Sequence, residues 1–177
     1  MTGVSDERVH ELAGEAVGRL APGLMVRIAS TELTSEPPRP GLTLAVEGQI
    51  SIAVSPAVTT DIIGCAVSYA MTARPTTGDQ VVDEDGETLW GAKVVVHGQW
   101  SVTDVADLTD DHMRAFAVKV GVMALHPYAR AQIQTVVASS GWPPYSMDVI
   151  QAPEVLFAGE DGLIDLDGVT MLKTAIG

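Results

Sequence analysis

The chain has 177 residues, with 23 acidic against 10 basic side chains and a formal net charge of -13 at pH 7. This length suits a single domain with its own core, and an apolar fraction of 46% excludes disorder throughout the chain. The acidic charge argues against nucleic-acid binding, because a phosphate backbone repels such a surface.

The cellular compartment can be predicted from cysteine usage and hydropathy. Cys65 is the single cysteine, so no internal disulfide can form. Residues 1–18 contain no basic region followed by an apolar run. The longest uncharged apolar stretches are too short to span a bilayer. We therefore expect a cytoplasmic protein without membrane insertion.

The first predicted element is a helix over residues 6–20. Apolar side chains recur there at spacings of three and four residues. Ser5 is suited to the N-cap position, and Pro22 with Gly23 stops the helix. Residues 1–22 are accordingly predicted to be an N-terminal helical extension.

Four segments with strand-like alternation follow, at residues 24–35, 42–54, 62–73 and 88–103. The connection at 35–41 is proline-rich, and the one before the fourth strand carries the hairpin signal Asp85-Gly86. Short connections favour antiparallel neighbours. The sequence thus predicts a four-stranded antiparallel sheet.

A long helix is predicted next, from Asp110 to Leu125, with Thr109 as its N-cap. It is apolar on two faces, so both should be buried. The sheet can cover one face, and a second subunit is one candidate for the other. The side chains concerned include Met113, Phe116, Val118, Val120 and Val122.

Pro127 is expected to kink this helix or to start a new one. The new helix should end at Gly141, which suits the left-handed cap position. Pro143 and Pro144 then favour an extended segment. The result is an aromatic loop, residues 142–145, directly after a capped helix.

The search for catalytic motifs finds no nucleophile elbow, phosphate loop or dinucleotide fingerprint. The four histidines lie far apart, without ligand partners at metal-binding spacing. Cys65 stands among apolar residues and is interpreted as an inert buried thiol. We predict that the protein is not an enzyme and has no cofactor or metal.

A family resemblance is carried by the stretch LHPYARAQIQTVVASSGWPPYSMDVI, residues 125–150. It resembles the SecB export chaperones, in which a Pro-Tyr-Ala-Arg helix precedes a Gly-x-aromatic-Pro loop and an apolar extended segment. The matching residues here are 127–130, Gly141, Trp142 and Pro144. Residues 25–38 are similar to the first strand of that family, and the likeness covers roughly residues 24 to 157.

The resemblance implies an α+β, SecB-like fold in which the sheet packs on the long helix and on a second, PYAR-type helix. Residues 23–158 would form the chaperone domain and 159–177 an acidic C-terminal tail. The implied protein is a cytoplasmic, ATP-independent holdase that forms a homotetramer, a dimer of dimers. Its long helices would pack in the middle, with Met113, Phe116, Val118, Val120 and Val122 as the oligomer interface.

The implied clients are unfolded preproteins or an antitoxin. Glu32 and Glu36 match the acidic positions through which export members contact the SecA motor. The N-terminal helix, however, is similar to that of the SecB-like chaperones of toxin–antitoxin–chaperone systems. Those proteins protect an aggregation-prone antitoxin.

A client-binding groove is hypothesised where apolar side chains lie beside proline-stiffened segments. Its members are Val46, Ile50, Ile52, Trp142, Tyr145, Leu156 and Phe157. Two alternatives stay open: a small oligomeric protein without a client, and an enzyme that uses the same pocket with His97 or His126 as its base.

Overall fold

The computed structural model describes residues 3–55, 61–77, 80–81, 87–105, 107–145, 147, 157–159 and 162–172. One β-sheet forms the first layer, and helices packed on one of its faces form the second. This is the α+β class that the alternating and helical segments predict.

The sheet is built mainly from four long strands. In chain order the strands are β1 (Leu20–Ser35), β2 (Thr43–Val54), β3 (Ile62–Thr77), β4 (Gln80–Val81), β5 (Trp90–Val102) and β6 (Thr170–Met171). The long strands lie in the order β1-β5-β3-β2, and all neighbours among them are antiparallel. The antiparallel arrangement predicted from the short connections is confirmed.

The prediction of four strands is wrong in number. β6 pairs in parallel with β2 at Ala53 and Val54, so the sheet is mixed and five strands across. β4 adds a short antiparallel pairing to β3. A strand of two residues leaves no alternation in the sequence to detect. The hairpin signal Asp85-Gly86 lies outside the described residues.

Alternation along each strand decides which face of the sheet is buried. On β3, Cys65, Val67 and Tyr69 are buried under the helices. Ala66 and Ser68 between them point to the opposite face, where they are half-buried. The core therefore lies between the sheet and the helices.

The long helix crosses the sheet without a break. It consists of α2 (Asp110–Phe116), a π-helical segment (Ala117–Gly121) and α3 (Val122–Ser139). Gly121 lies so close to β3 that a Cβ there would stand 2.7 Å from the Cys65 sulfur. The glycine is required at this crossing because a side chain would push the helix away from the strand.

The predicted restart of the helix at Pro127 is not observed, since α3 runs through this residue to Ser139. A kink within α3 stays a prediction. A proline inside a helix costs about 3 kcal/mol through its missing hydrogen bond and its ring clash. On either side of it Leu125, Ala129 and Ile133 are buried. Burying a large apolar side chain stabilises by roughly 1.5–3 kcal/mol, so packing outweighs the proline. The predicted end is confirmed, because Gly141 has a φ of +91°.

The N-terminal helix α1 (Asp6–Val17) packs on α2 and on the π-helical segment. Its buried face consists of Val9, Leu12, Ala13 and Ala16. Ser5 acts as the predicted N-cap, with its hydroxyl oxygen accepting the Arg8 amide at 3.3 Å. The helix predicted as an extension thus shares the core of the molecule.

The first described residues are joined to the segment that precedes β6. Val4 and Ile164 exchange two main-chain hydrogen bonds of 2.9 and 2.8 Å. A short 3₁₀ helix, Leu166–Gly168, then leads into β6. Ile164 and Leu166 are buried, so the described part of the acidic tail also packs on the core.

Candidate functional site

Three of the predicted groove residues lie on the helix-facing side of β2. Ile50 pairs with Tyr69 and Ile52 pairs with Val67, whose side chains are both in the core. Ile52 is buried, whereas Val46 and Ile50 are half-buried. Of the three, only Val46 and Ile50 offer surface to another chain.

The outer edge of β2 is open over most of its length in the described structure. β6 pairs only with Ala53 and Val54, and no other described strand joins this edge. Main-chain donors and acceptors on an open edge can pair with an additional extended chain. The half-buried apolar side chains therefore stand beside a strand edge with pairing capacity.

Trp142 is a buried anchor and not an open groove residue. Its side chain is 4% exposed. Its indole Nε1 donates hydrogen bonds to Ser35 Oγ at 3.1 Å and to the Glu36 carbonyl oxygen at 3.0 Å. Both acceptors belong to the proline crossover, which we define as residues 35–41. A client cannot reach Trp142 in this conformation.

Tyr145 lies at the same end of the sheet as Val46. Its ring is half-buried, with its centroid 6.0 Å from that of Trp90. Trp90 pairs with Ala73 on β3, and Ala73 pairs with Val46 on β2. Trp90 and Val46 are therefore two strand spacings apart, which is about 10 Å. Tyr145 and Val46 therefore lie at one end of the helix-facing side, and Ile50 lies four residues further along β2. We call these three residues the β2 site.

Phe157 lies in a different part of the molecule. It is half-buried beside the 3₁₀ helix, where its ring comes within 3.8 Å of the Cβ position of Gly168. That segment joins the sheet at Val54, eight residues and about 27 Å along β2 from Val46. Phe157 thus lies toward the opposite end of β2 from Val46. Leu156 lies outside the described residues.

The apolar stripes assigned to an oligomer interface are largely buried within the chain. Met113, Phe116, Val118 and Val122 are all in the core. The ring of Phe116 meets Trp100 edge-on, with centroids 5.1 Å apart. A second subunit was one candidate cover for the second stripe, but Val118 and Val122 are already buried within the chain. Val120 is the one member of the set that is only half-buried.

Other apolar side chains are exposed, and the sequence did not single them out. Met25 is 65% exposed on β1 and Tyr128 is 48% exposed on α3. Their exposed neighbours are Leu24 and Ile28 on β1 and Met123 on α3. β1 is an edge strand whose outer side pairs with no described strand. The apolar residues of β1 alternate as they would in a central strand, so the sequence contains no signal for this edge position.

The two acidic residues matched to the SecA contact are both exposed. Glu32 sits opposite Lys93 in the pairing of β1 with β5. Glu36 starts the proline crossover, and its amide donates to the Leu89 carbonyl at 2.8 Å. A lysine directly across the strand weakens the negative field around Glu32.

Burial shifts the pKa values of two titratable groups of the core. Burial raises the pKa of the Cys65 thiol to about 12, so the thiolate nucleophile is not formed near neutral pH. Burial, and to a smaller extent Cys65, also raises the pKa of Tyr69 well above its ordinary value. His126 is buried against the Tyr69 ring, with centroids 5.6 Å apart.

On the opposite face of the sheet, burial and the Arg27 charge lower the pKa of His97. The Arg27 Nη2 lies 3.2 Å from His97 Nδ1. Within the described ranges, no three His, Cys, Asp or Glu side chains are grouped closely enough to hold a metal. None of the described helices has the length and apolar character needed to cross a bilayer.

Comparison with known proteins gives a likeness of fold. No protein-family model matches the chain, and no curated protein matches it. Among solved structures, the chain resembles the Rv1957 SecB-like chaperone of Mycobacterium tuberculosis, solved in complex with a ChAD peptide from the Rv1956 HigA1 antitoxin. The TM-score is 0.68 at 16% identity, over 81% of this chain and 99% of that one.

A weaker match is a protein of unknown function from Streptococcus agalactiae. It is 8% identical, with a TM-score of 0.29, over 72% of this chain and 98% of that one. The sheet order, the long helix and the first of these matches agree with one another. The chain has a SecB-like fold.

Proposed function

We propose that the protein is an ATP-independent holdase chaperone that binds apolar segments of unfolded polypeptides. The observation that carries the proposal is the SecB-like fold, shared over 81% of the chain with a chaperone that was solved with a bound peptide. The β2 site supports it, because Val46 and Ile50 keep apolar surface beside an open strand edge. Tyr145 adds a half-buried ring against Trp90, two strands away.

The proposed mechanism needs no nucleotide. An unfolded client exposes apolar side chains and unpaired main chain. Moving apolar area from water onto the β2 site is favourable by about 25 cal/mol per Å². The net charge of -13 keeps the loaded complex soluble. Release follows when the client folds or passes to its partner.

We favour an antitoxin over exported preproteins as the client. The bound peptide of the M. tuberculosis chaperone comes from an antitoxin. Export through SecA would use Glu32 and Glu36, but Lys93 stands directly opposite Glu32. The proposal includes the cytoplasmic location predicted from the sequence.

We further propose a homo-oligomer, with the tetramer as the expected state. The exposed apolar side chains of β1 and α3 are the positions at which we expect self-association. Met25, Met123 and Tyr128 replace the buried residues of the earlier prediction as the side chains available for contact.

The holdase activity can be tested by light scattering during aggregation of a chemically unfolded protein. We expect suppression at near-stoichiometric ratios, unchanged by ATP. Aggregation that proceeds equally fast with and without the protein would eliminate the holdase function. This result would favour the alternative of an oligomer without a client.

The location of the site can be tested with a Val46→Thr, Ile50→Thr double variant. Threonine keeps the branched shape and β-propensity but removes apolar surface. We expect roughly tenfold weaker binding of an unfolded client. Val95→Thr is the matched control, since Val95 is half-buried on the opposite face of the sheet. Equal losses in both variants would exclude the β2 site.

A further inference from the structure

The loop after α3 is fastened to the proline crossover by the Trp142 side chain. The indole N–H is shared between Ser35 Oγ at 3.1 Å and the Glu36 carbonyl at 3.0 Å. These partners lie 107 and 106 residues away along the chain. A donor buried with two acceptors has little freedom to move, so the two segments are fixed relative to each other.

The preceding residue makes a second contact between the same segments. A Cβ on Gly141 would stand 3.1 Å from the Pro38 ring, and the φ of +91° already favours glycine there. The crossover is stiff, because Pro37, Pro38 and Pro40 each fix their own φ. A displacement at one end of this segment is therefore transmitted to the other.

The crossover is fastened in turn to the start of β5. The Glu36 amide donates to the Leu89 carbonyl at 2.8 Å. The Arg39 guanidinium forms an ion pair with Glu87, with one nitrogen–oxygen distance of 2.9 Å. The next residue after Leu89 is Trp90, whose ring contacts Tyr145. The contacts thus run in a closed path from Trp142 through the crossover to Tyr145.

We propose that Trp142 is a positioning residue for the β2 site. Its indole N–H holds the proline crossover and so fixes Tyr145 over the row that contains Trp90 and Val46. This inference rests on the proposed chaperone function. Direct contact between Trp142 and a client is disfavoured, because the side chain is 4% exposed and its N–H is already hydrogen-bonded.

The test uses Trp142→Phe, which keeps an aromatic ring and removes the N–H donor. Trp100→Phe is the matched control, since Trp100 is a buried tryptophan at the other end of β5. The probe is fluorescently labelled ribonuclease A that has been reduced and carboxamidomethylated, so that it stays unfolded. The first readout is its Kd, and the second is amide hydrogen exchange of residues 33–44 without client.

We expect Trp142→Phe to raise the Kd by up to about five- to tenfold, which is the limit reached if the whole contribution of the lost hydrogen bonds is expressed in client binding. Exchange at residues 33–44 should quicken in this variant alone. Trp100→Phe should leave both readouts at their wild-type values, even where its melting temperature falls. Ser35→Ala should act in the same direction, and should add little in the Trp142→Phe background.

The outcomes separate two claims: that Trp142 holds the proline crossover, and that it positions the β2 site. Unchanged exchange at residues 33–44 overturns the fastening role of Trp142. Faster exchange with an unchanged Kd overturns its role in the site. A wild-type protein that does not bind the probe removes the proposed function, while the exchange experiment still decides whether Trp142 holds the crossover.

Discussion

The Lys119 ammonium lies 2.6 Å from the Asp6 carboxylate, and this pair joins the π-helical segment to the start of α1 across 113 residues of chain. A second contact holds the other end of α1, where His112 Nε2 is 2.9 Å from Glu15 Oε2. Because the Thr109 amide donates to His112 Nδ1, the Nε2 carries the proton and donates to the carboxylate. α1 is thus fixed at both ends on the long helix.

The first prediction concerns the contribution of α1 to stability. Leu12→Ala should lower the free energy of unfolding by about 2–4 kcal/mol, because it leaves a cavity between α1 and α2. Val17→Ala is the control in the same helix, since Val17 is exposed and its loss should cost less than about 0.5 kcal/mol. Urea unfolding measures both. Equal, small effects would mean that α1 does not share the core.

The second prediction concerns the crossing of the long helix over β3. Gly121→Ala should destabilise by about 1–3 kcal/mol, because the new methyl group would overlap the Cys65 sulfur. Gly14→Ala is the matched control, since a Cβ there meets no atom within 4 Å. It should stabilise α1 by up to about 1 kcal/mol.

A double variant at the same crossing tests whether overlap with the Cys65 sulfur causes the loss of stability in Gly121→Ala. Cys65→Ala removes the overlapping sulfur, so it should recover much of the stability lost by Gly121→Ala when the two are combined. Thermal unfolding of the four proteins gives the coupling directly. Additive losses would show that the helix and strand approach each other differently from the structure described above.

The fold was predictable where one local rule decides the outcome. Alternation places Val67 and Tyr69 on the buried face, and the Ser5 cap and the Gly141 turn follow from backbone requirements. The helix restart predicted at Pro127 does not occur, because burial of Leu125 and Ala129 offsets the local cost of the proline, and the sequence does not quantify that burial.

The candidate site was less predictable, because burial depends on contacts made far along the chain. Trp142 is a large aromatic residue of the kind expected to bind clients. Its hydrogen-bond acceptors at Ser35 and Glu36, however, lie more than 100 residues away. Phe116 looks like an interface residue from its helical spacing, but its ring packs edge-on against Trp100 of β5. Apolar pattern identifies which side chains avoid water, but not which partner covers them.

The third prediction concerns pH. His97 has a folded-state pKa below the ordinary value of about 6.5, so the unfolded chain takes up this proton first as the pH falls. The stability contributed at neutral pH should therefore decline between about pH 7 and 5. His97→Gln should make the pH dependence of the unfolding free energy shallower in that window.

Burial is the larger cause of the His97 shift and the Arg27 charge the smaller one. Arg27→Gln should therefore reduce the pH dependence less than His97→Gln does. Denaturant unfolding of the three proteins at several pH values provides the comparison. A steeper slope in His97→Gln than in wild type would contradict the assigned direction of the pKa shift.

The fourth prediction concerns self-association through the exposed face of α3. Met123 and Tyr128 are 41% and 48% exposed on α3. A Met123→Glu, Tyr128→Glu double variant would place like charges of both copies in a shared interface, so we expect a smaller oligomer. Val17→Glu adds a charge at another exposed apolar position, on α1, and should leave the oligomer intact. Sedimentation velocity reports the masses. If wild type and both variants sediment as monomers, the proposed homo-oligomer does not form, and if the double variant keeps the wild-type oligomer, its interface lies on another face.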